Sequence, residues 1–215
     1  MARSSMMVLG SRGSVCTAVV LAPDVVLTAA HCVAAAEHRV HWKGADGTPV
    51  LVAPAAVARH PGYSAGAETT RRRSIDLALL RLPSPLPSSF VPATLSGSIA
   101  AKGATVTVAG YGVAREGDGR SSGTFRAASL TVVEPYGPGR ILLWASGGAA
   151  EAGACQGDSG GPFIGDDGAV LAIASWAKGR AGKSCGEVTQ GVLVAPQRVW
   201  IDTTLSHWSR RANWK

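Results

Sequence analysis

The sequence predicts an all-β chain, built as a barrel or a sandwich in two lobes, with one helix near its C-terminus. Three observations carry this. Short apolar runs rich in β-branched residues recur along the 215 residues, several of them alternating strictly with polar positions. Breakers such as "PD", "DG", "HPGY" and "DDG" separate the runs. A content of 27 Gly and 12 Pro favours many short strands over long helices.

In chain order the expected strands are "SVCTAVVL" (14–21), "VVLT" (25–28), "RVHW" (39–42), "VLVA" (50–53) and "LALLRL" (77–82). After them come "TVTVAGY" (105–111), "SLTVV" (129–133), "ILLWAS" (141–146), "AVLAIASW" (169–176) and "GVLVA" (191–195). The Pro-rich stretch "PSPLPSSFVPATL" (83–95) divides these into two comparable sets, so lobes are expected at 1–90 and 91–215. Only "PQRVWIDTTLSHW" (196–208) reads as a helix, with Pro196 at its start. Two lobes leave one crevice between them, where substrate sites are favoured.

Composition narrows the class. With 46% hydrophobic and 16% charged residues the chain can bury a sizeable core and is not of disordered type. It has no apolar run of about 18 residues, so no membrane span or membrane partner is expected. The opening "MARSSMMVLGSRGS" lacks the apolar centre and cleavage site of a signal peptide. The net charge of +7 is spread out, and the aromatic residues do not interleave with the cations, so a basic surface is expected and no nucleic acid. His38, His41, His60 and His207 have no ligand-spaced partners, and no phosphate loop is present; no metal and no cofactor are expected. Cys16, Cys32, Cys155 and Cys185 form no CxxC pair, and their even number fits two disulfides in an oxidising compartment. Spacing leaves three pairings open.

Three short motifs suggest chemistry. "LTAAHCV" (27–33) sets His31 after a strand, "RRRSIDLALLRL" (71–82) sets Asp76 before one, and "GACQGDSGGPF" (153–163) sets Ser159 among glycines. Alone, each reads as a buried histidine, a turn carboxylate and a tight glycine turn. Together they supply what a serine nucleophile requires: a base within hydrogen-bond reach and a carboxylate to orient that base. "GDSGG" also matches the nucleophile elbow of α/β-hydrolases, but there the histidine follows the serine. The only histidine after Ser159 is His207, inside the expected helix, and strands do not alternate with helices.

"TAAHC", "DLALL" and "GDSGGP", in that order, resemble trypsin- and chymotrypsin-like serine proteases over nearly the whole chain. The resemblance implies two antiparallel β-barrels, His31 and Asp76 on the first and Ser159 on the second, with the active site in the crevice. It implies Ser159 as nucleophile, His31 as general base and Asp76 as its orienting carboxylate, with the Gly157 and Ser159 N–H groups as oxyanion hole. It implies the disulfides Cys16–Cys32 and Cys155–Cys185. The partners implied are a polypeptide substrate and a protein inhibitor, acting on a secreted or periplasmic monomer. The alternative is a catalytically silent homologue that binds a partner through the same cleft.

Two departures matter. In the family, a new N-terminal amine pairs with the acid at Asp158; no Ile-Val-Gly-Gly-type segment stands in this chain, so Asp158 is expected to need another cation or a proton. The substrate pocket is expected to be lined by Gly153, Ala154, Gln156, Ser175, Trp176, Ala177 and Gly191. Gly153 stands where trypsin-like members carry an acid, Ser175 and Trp176 on one wall and Gly191 opposite. That pocket should be apolar and fairly open, narrowed a little by Ala177. Lys178, Arg180 and Lys183 form a basic loop beside it, and Arg71 to Arg73 are expected near the cleft.

Overall fold

The computed structural model describes residues 1–34, 37–66, 74–134 and 140–215, so the Arg71 to Arg73 run lies outside the described residues. Among the described residues are fifteen strands in two sheets and one α-helix. The first sheet contains β1 (Ser5–Gly10), β2 (Val15–Ala22), β3 (Val25–Thr28), β4 (His38–Lys43), β5 (Pro49–Val52), β6 (Ala56–Arg59) and β7 (Ala78–Arg81). Its order is β5-β4-β1-β2-β3-β7-β6, with antiparallel neighbours throughout.

The second sheet contains β8 (Thr94–Leu95), β9 (Thr105–Gly110), β10 (Arg126–Val133), β11 (Leu142–Ser146), β12 (Pro162–Ile164), β13 (Val170–Lys178), β14 (Val188–Leu193) and β15 (Asn213–Trp214). Six of these close into a ring, β12-β9-β10-β11-β14-β13, through the pairing of β12 with β13. β8 and β15 are short additions in parallel pairing, a departure from the all-antiparallel expectation. The helix α1 (Arg198–His207) follows a 3-10 turn, Ala195–Gln197, that contains Pro196.

Strand alternation explains how the sheets meet. On β2, Cys16, Ala18 and Val20 face the core of the first sheet with Val8, Val26 and Leu80. Val19 and Leu21, on the opposite face, join Leu27 and Leu79 in an apolar layer with Leu95, Val170, Ile173, Ile201 and Leu205. Full burial of each large side chain contributes roughly 1.5–3 kcal/mol, so this layer fixes the two sheets against each other. The C-terminal segment adds polar ties. Arg210 grips Asp24 in the β2–β3 turn with bonds of 2.6 and 2.9 Å, Trp214 Nε1 donates to Asp202 at 2.8 Å, and the Lys215 carbonyl accepts from Gly97 N–H.

The disulfides are Cys16–Cys32 and Cys155–Cys185, as the family resemblance implied. Each lies within one of the two sheets and its loops. In the chain-entropy picture a bridge closing loops of these lengths contributes roughly 3–4 kcal/mol.

Candidate active site

His31 lies in a single 3-10 turn, Ala30–Val33, directly after β3. Asp76 precedes β7, the strand paired with β3, so the ladder brings the two together across 45 residues of sequence. His31 Nδ1 and Asp76 Oδ2 are 2.6 Å apart, and the His31 backbone N–H donates to Asp76 Oδ1 at 2.9 Å. The imidazole is 39% exposed while the carboxylate is 8% exposed, so the ring can reach substrate and its partner stays dry. Ser175, expected only to line a wall, donates its hydroxyl to the same Asp76 Oδ2 at 2.6 Å. Burial opposes ionisation of Asp76 most strongly. The His31 ring bond and charge, the Ser175 hydroxyl and the His31 amide outweigh it and hold the carboxyl below its ordinary value.

Ser159 belongs to a loop from the second sheet that docks on the first. Cys32 Sγ lies 3.6 Å from His31 Nε2 and 3.7 Å from the Ser159 carbonyl oxygen, so the Nε2 edge of the imidazole lies on the side of the serine loop. Gly160 has φ +84°, and a methyl there would overlap the Thr17 carbonyl and the Thr28 hydroxyl. Only glycine gives both the backbone conformation and the close approach. Gly157 has φ +99° and is likewise a left-handed position.

The peptides of this loop are held one by one. Val113 N–H donates to the Gln156 carbonyl at 2.9 Å, which turns the Gly157 N–H the opposite way; Gly161 N–H does the same at the Asp158 carbonyl, turning the Ser159 N–H. Among the described residues, no acceptor meets the Gly157 or Ser159 N–H. Two neighbouring, fixed and unpaired donors beside a hydroxyl can stabilise negative charge developing on a substrate oxygen.

Asp158 turns away from the serine. Its Oδ1 accepts from Gly112 N–H at 2.8 Å and its Oδ2 from Cys155 N–H at 2.9 Å. Burial pushes its carboxyl above the ordinary value; the two N–H donors and the charge of Arg126 pull it back only in part. Arg126 is held by the Gly112 and Ser121 carbonyls at 2.8 and 2.7 Å. A cavity of about 570 Å³, lined by Asp158, Arg126, Gly112, Glu116 and Lys183 among others, lies behind this loop. Arg126, on β10, thus acts on Asp158 through its charge and, among the described residues, not through a direct ion pair.

The pocket residues do not all stand as expected. Ala154 is buried and Gln156 exposed. Trp176 is 38% exposed and meets Trp144 edge-on at 6.1 Å. Gly191 corrects the expected wall: its open side faces the Phe163 ring in the core, and it pairs with Ala174. A register shift between Ala174 and Trp176 sets Thr189 opposite Ala177 instead. Thr189 is fully buried, its Oγ1 accepts from Ala154 N–H at 2.9 Å, and a methyl on Gly153 would lie 3.0 Å from that oxygen. Thr189 thus stands opposite Ala177 and against Gly153, where a smaller residue would leave more room. In the basic loop, Arg180 pairs with Glu187 at 3.6 Å and Ser184 N–H donates to Glu116 at 2.6 Å.

The trypsin family model matches residues 2–200. Kallikrein-12 of Homo sapiens is 32% identical over 174 residues, covering 75% of this chain and 68% of the relative. Trypsin alpha of Drosophila erecta is 29% identical over 208 residues, covering 88% and 77%. Among solved structures, mouse neuropsin, a serine protease expressed in the limbic system, superposes with a TM-score of 0.77 at 22% identity, covering 94% of both chains. Human heparin binding protein gives 0.78 at 23% identity, covering 95% of this chain and 92% of its own. These two similarities concern the fold. Carried by a match over nearly its whole length, the chain belongs to the trypsin family of serine endopeptidases.

Proposed function

We propose that this protein is an active endopeptidase in which Ser159 attacks the peptide carbonyl, His31 carries the proton to the leaving amine, and Asp76 orients the imidazole. The reading rests above all on one observation: the 2.6 Å bond between His31 Nδ1 and Asp76 Oδ2, beside a serine loop with two unpaired N–H donors. Asp76 Oδ1 and Oδ2 take three donors in all, so the carboxylate stays ionised and the proton of Nδ1 stays in place. That leaves Nε2 to accept the Ser159 proton. The tetrahedral oxyanion would take the Gly157 and Ser159 N–H groups. The lobes 1–90 and 91–215 would supply the two halves of this machinery.

For the residue before the scissile bond, the reading is an apolar side chain. Position 153 is a glycine and brings no acid of its own, and Glu187 is engaged by Arg180. A Lys or Arg there would lose hydration without gaining a partner. Thr189 and Ala177 favour small over large side chains. The protein is read as a secreted or periplasmic monomer open to protein inhibitors; relatives of this family are mostly secreted, and among the described residues no helix is long and apolar enough to cross a membrane.

A fluorophosphonate probe tests the reading. It should label wild type at Ser159, identified by peptide mass mapping, and leave Ser159→Ala untouched. A folded wild-type chain that takes up no label would refute it.

A further inference from the structure

Thr17 lies on β2 between Cys16 and Ala18, and no part of it reaches solvent. Alternation puts it on the same face as Val19 and Leu21, which belong to the apolar layer between the sheets. A polar side chain there must have its bonds satisfied, and every one is. Its N–H donates to the Ser159 carbonyl at 2.7 Å. Its hydroxyl donates to the Gly157 carbonyl at 2.9 Å, and the same oxygen accepts from Tyr111 N–H at 3.0 Å. Its own carbonyl accepts from the Thr28 hydroxyl at 2.7 Å. One residue of the first sheet thus holds the carbonyls on either side of Asp158 and is itself anchored three residues before His31.

We propose that Thr17 is a positioning residue for the oxyanion hole, a clamp from the first sheet that keeps the Gly157 and Ser159 N–H groups aimed at one point. The inference rests on the catalytic reading above. Its physical basis is the stiffness of peptide planes. The Gly157 carbonyl and the Asp158 N–H share one plane, and that plane lies between the two donor peptides. Gly157 is a glycine at positive φ, so it has more freedom to rotate than any other residue type. Without the Thr17 hydroxyl, the Gly157 carbonyl and the Tyr111 N–H would both be buried and unpaired. The Asp158 N–H of that plane is still held by the Cys155 carbonyl at 3.1 Å and the Gln156 carbonyl by Val113 N–H, so the loop relieves the loss by tilting the Gly157 peptides about these bonds, which misaims one oxyanion donor. The serine, the histidine and the substrate pocket would stay where they are, so the loss should fall on the transition state and not on substrate binding.

The test compares Thr17→Val, of nearly the same shape without the hydroxyl, with Thr17→Ser, which keeps it. Losing a whole oxyanion donor lowers kcat about 100- to 1000-fold; a donor that is present but poorly aimed should lower it roughly tenfold or more. Thr17→Val should therefore lose about that much kcat with KM within about twofold. Thr17→Ser should stay within about threefold of wild type. A second readout needs no turnover: the Gly157 and Ser159 amide resonances in 15N-labelled protein should shift in Thr17→Val and stay in Thr17→Ser. Wild-type kcat in folded Thr17→Val, a loss confined to KM, or unmoved Gly157 and Ser159 amides would overturn the proposal. If Thr17→Val does not fold, Thr17→Ala is judged by the same criteria. If wild type takes no fluorophosphonate label, the catalytic reading fails on its own, and the amide resonances alone decide whether Thr17 holds the loop.

Discussion

Thr189→Ala should widen the substrate pocket. Thr189 stands opposite Ala177 and against Gly153, with no exposure to solvent. The substitution removes Oγ1 and one methyl and so makes room for about two methylene-sized groups of a substrate side chain. At about 0.8 kcal/mol each this amounts to roughly 1.6 kcal/mol, or about 15-fold in kcat/KM for a longer apolar residue. The Ala154 N–H loses its acceptor, which costs about 1–3 kcal/mol of stability. Thr189→Ser keeps that bond and opens the space of a single methyl, so it should give about fourfold without the loss in stability. The assay is kcat/KM on peptides that differ only in the residue before the scissile bond: Ala, Val, Leu and Phe. Wild type should prefer Ala and Val. The Leu-to-Ala ratio should rise about 15-fold in Thr189→Ala. An unchanged ratio in the folded variant would refute the assignment of Thr189 to the pocket.

Ser159→Ala and His31→Ala should each abolish turnover while leaving thermal unfolding in place, and the double variant should be no slower than either; steady-state rates that fall further in the double variant count against a cooperating pair. Ser175→Ala removes a charged hydrogen bond from Asp76, so kcat/KM should fall about tenfold. Asp76 titrates below its unfolded value, so its contribution to stability is full above that value and lost as pH falls through the folded one. Without Ser175 the folded value rises, and acid unfolding followed by circular dichroism should begin at higher pH. Asp158 is the opposite case: its raised value gives stability below the unfolded pKa that is lost as pH rises through the folded one. Arg126→Gln should push it higher still, so the melting temperature of the variant should lag wild type more at pH 7 than below about pH 4. Equal gaps at both would show that Arg126 acts only through its bonds to the Gly112 and Ser121 carbonyls.

The strand pattern and the three motifs could be read because they are local. Alternation along β2 and the glycines around Ser159 each state a constraint within a few residues. What could not be read depends on register and on distant partners. Gly191 was expected on the pocket wall, but the irregularity between Ala174 and Trp176 brings Thr189 opposite Ala177. No residue type announces that shift. Ser175 was expected to line a wall, and a serine facing a pocket looks the same in sequence as one facing a carboxylate 99 residues away. Thr17 was hidden in "SVCTAVVL", where a threonine fits a strand without further cause. The helix at 196–208 was expected one turn too regular, since its first residues form the 3-10 turn around Pro196.

The two disulfides have a consequence for handling this protein. Each closes a loop attached to one of the two sheets, and neither links one sheet to the other. Alignment of the two halves of the site therefore depends on the apolar layer, the bonds of Thr17 and Ser175 across the sheets and the grip of Arg210 on Asp24. A reductant would soften each half while leaving this seam intact. A clip between α1 and Arg210 would do the reverse, leaving both halves crosslinked but the seam without the Arg210 tie. Cleavage next to Arg210 is therefore a more direct threat to a preparation's activity than an hour in dithiothreitol.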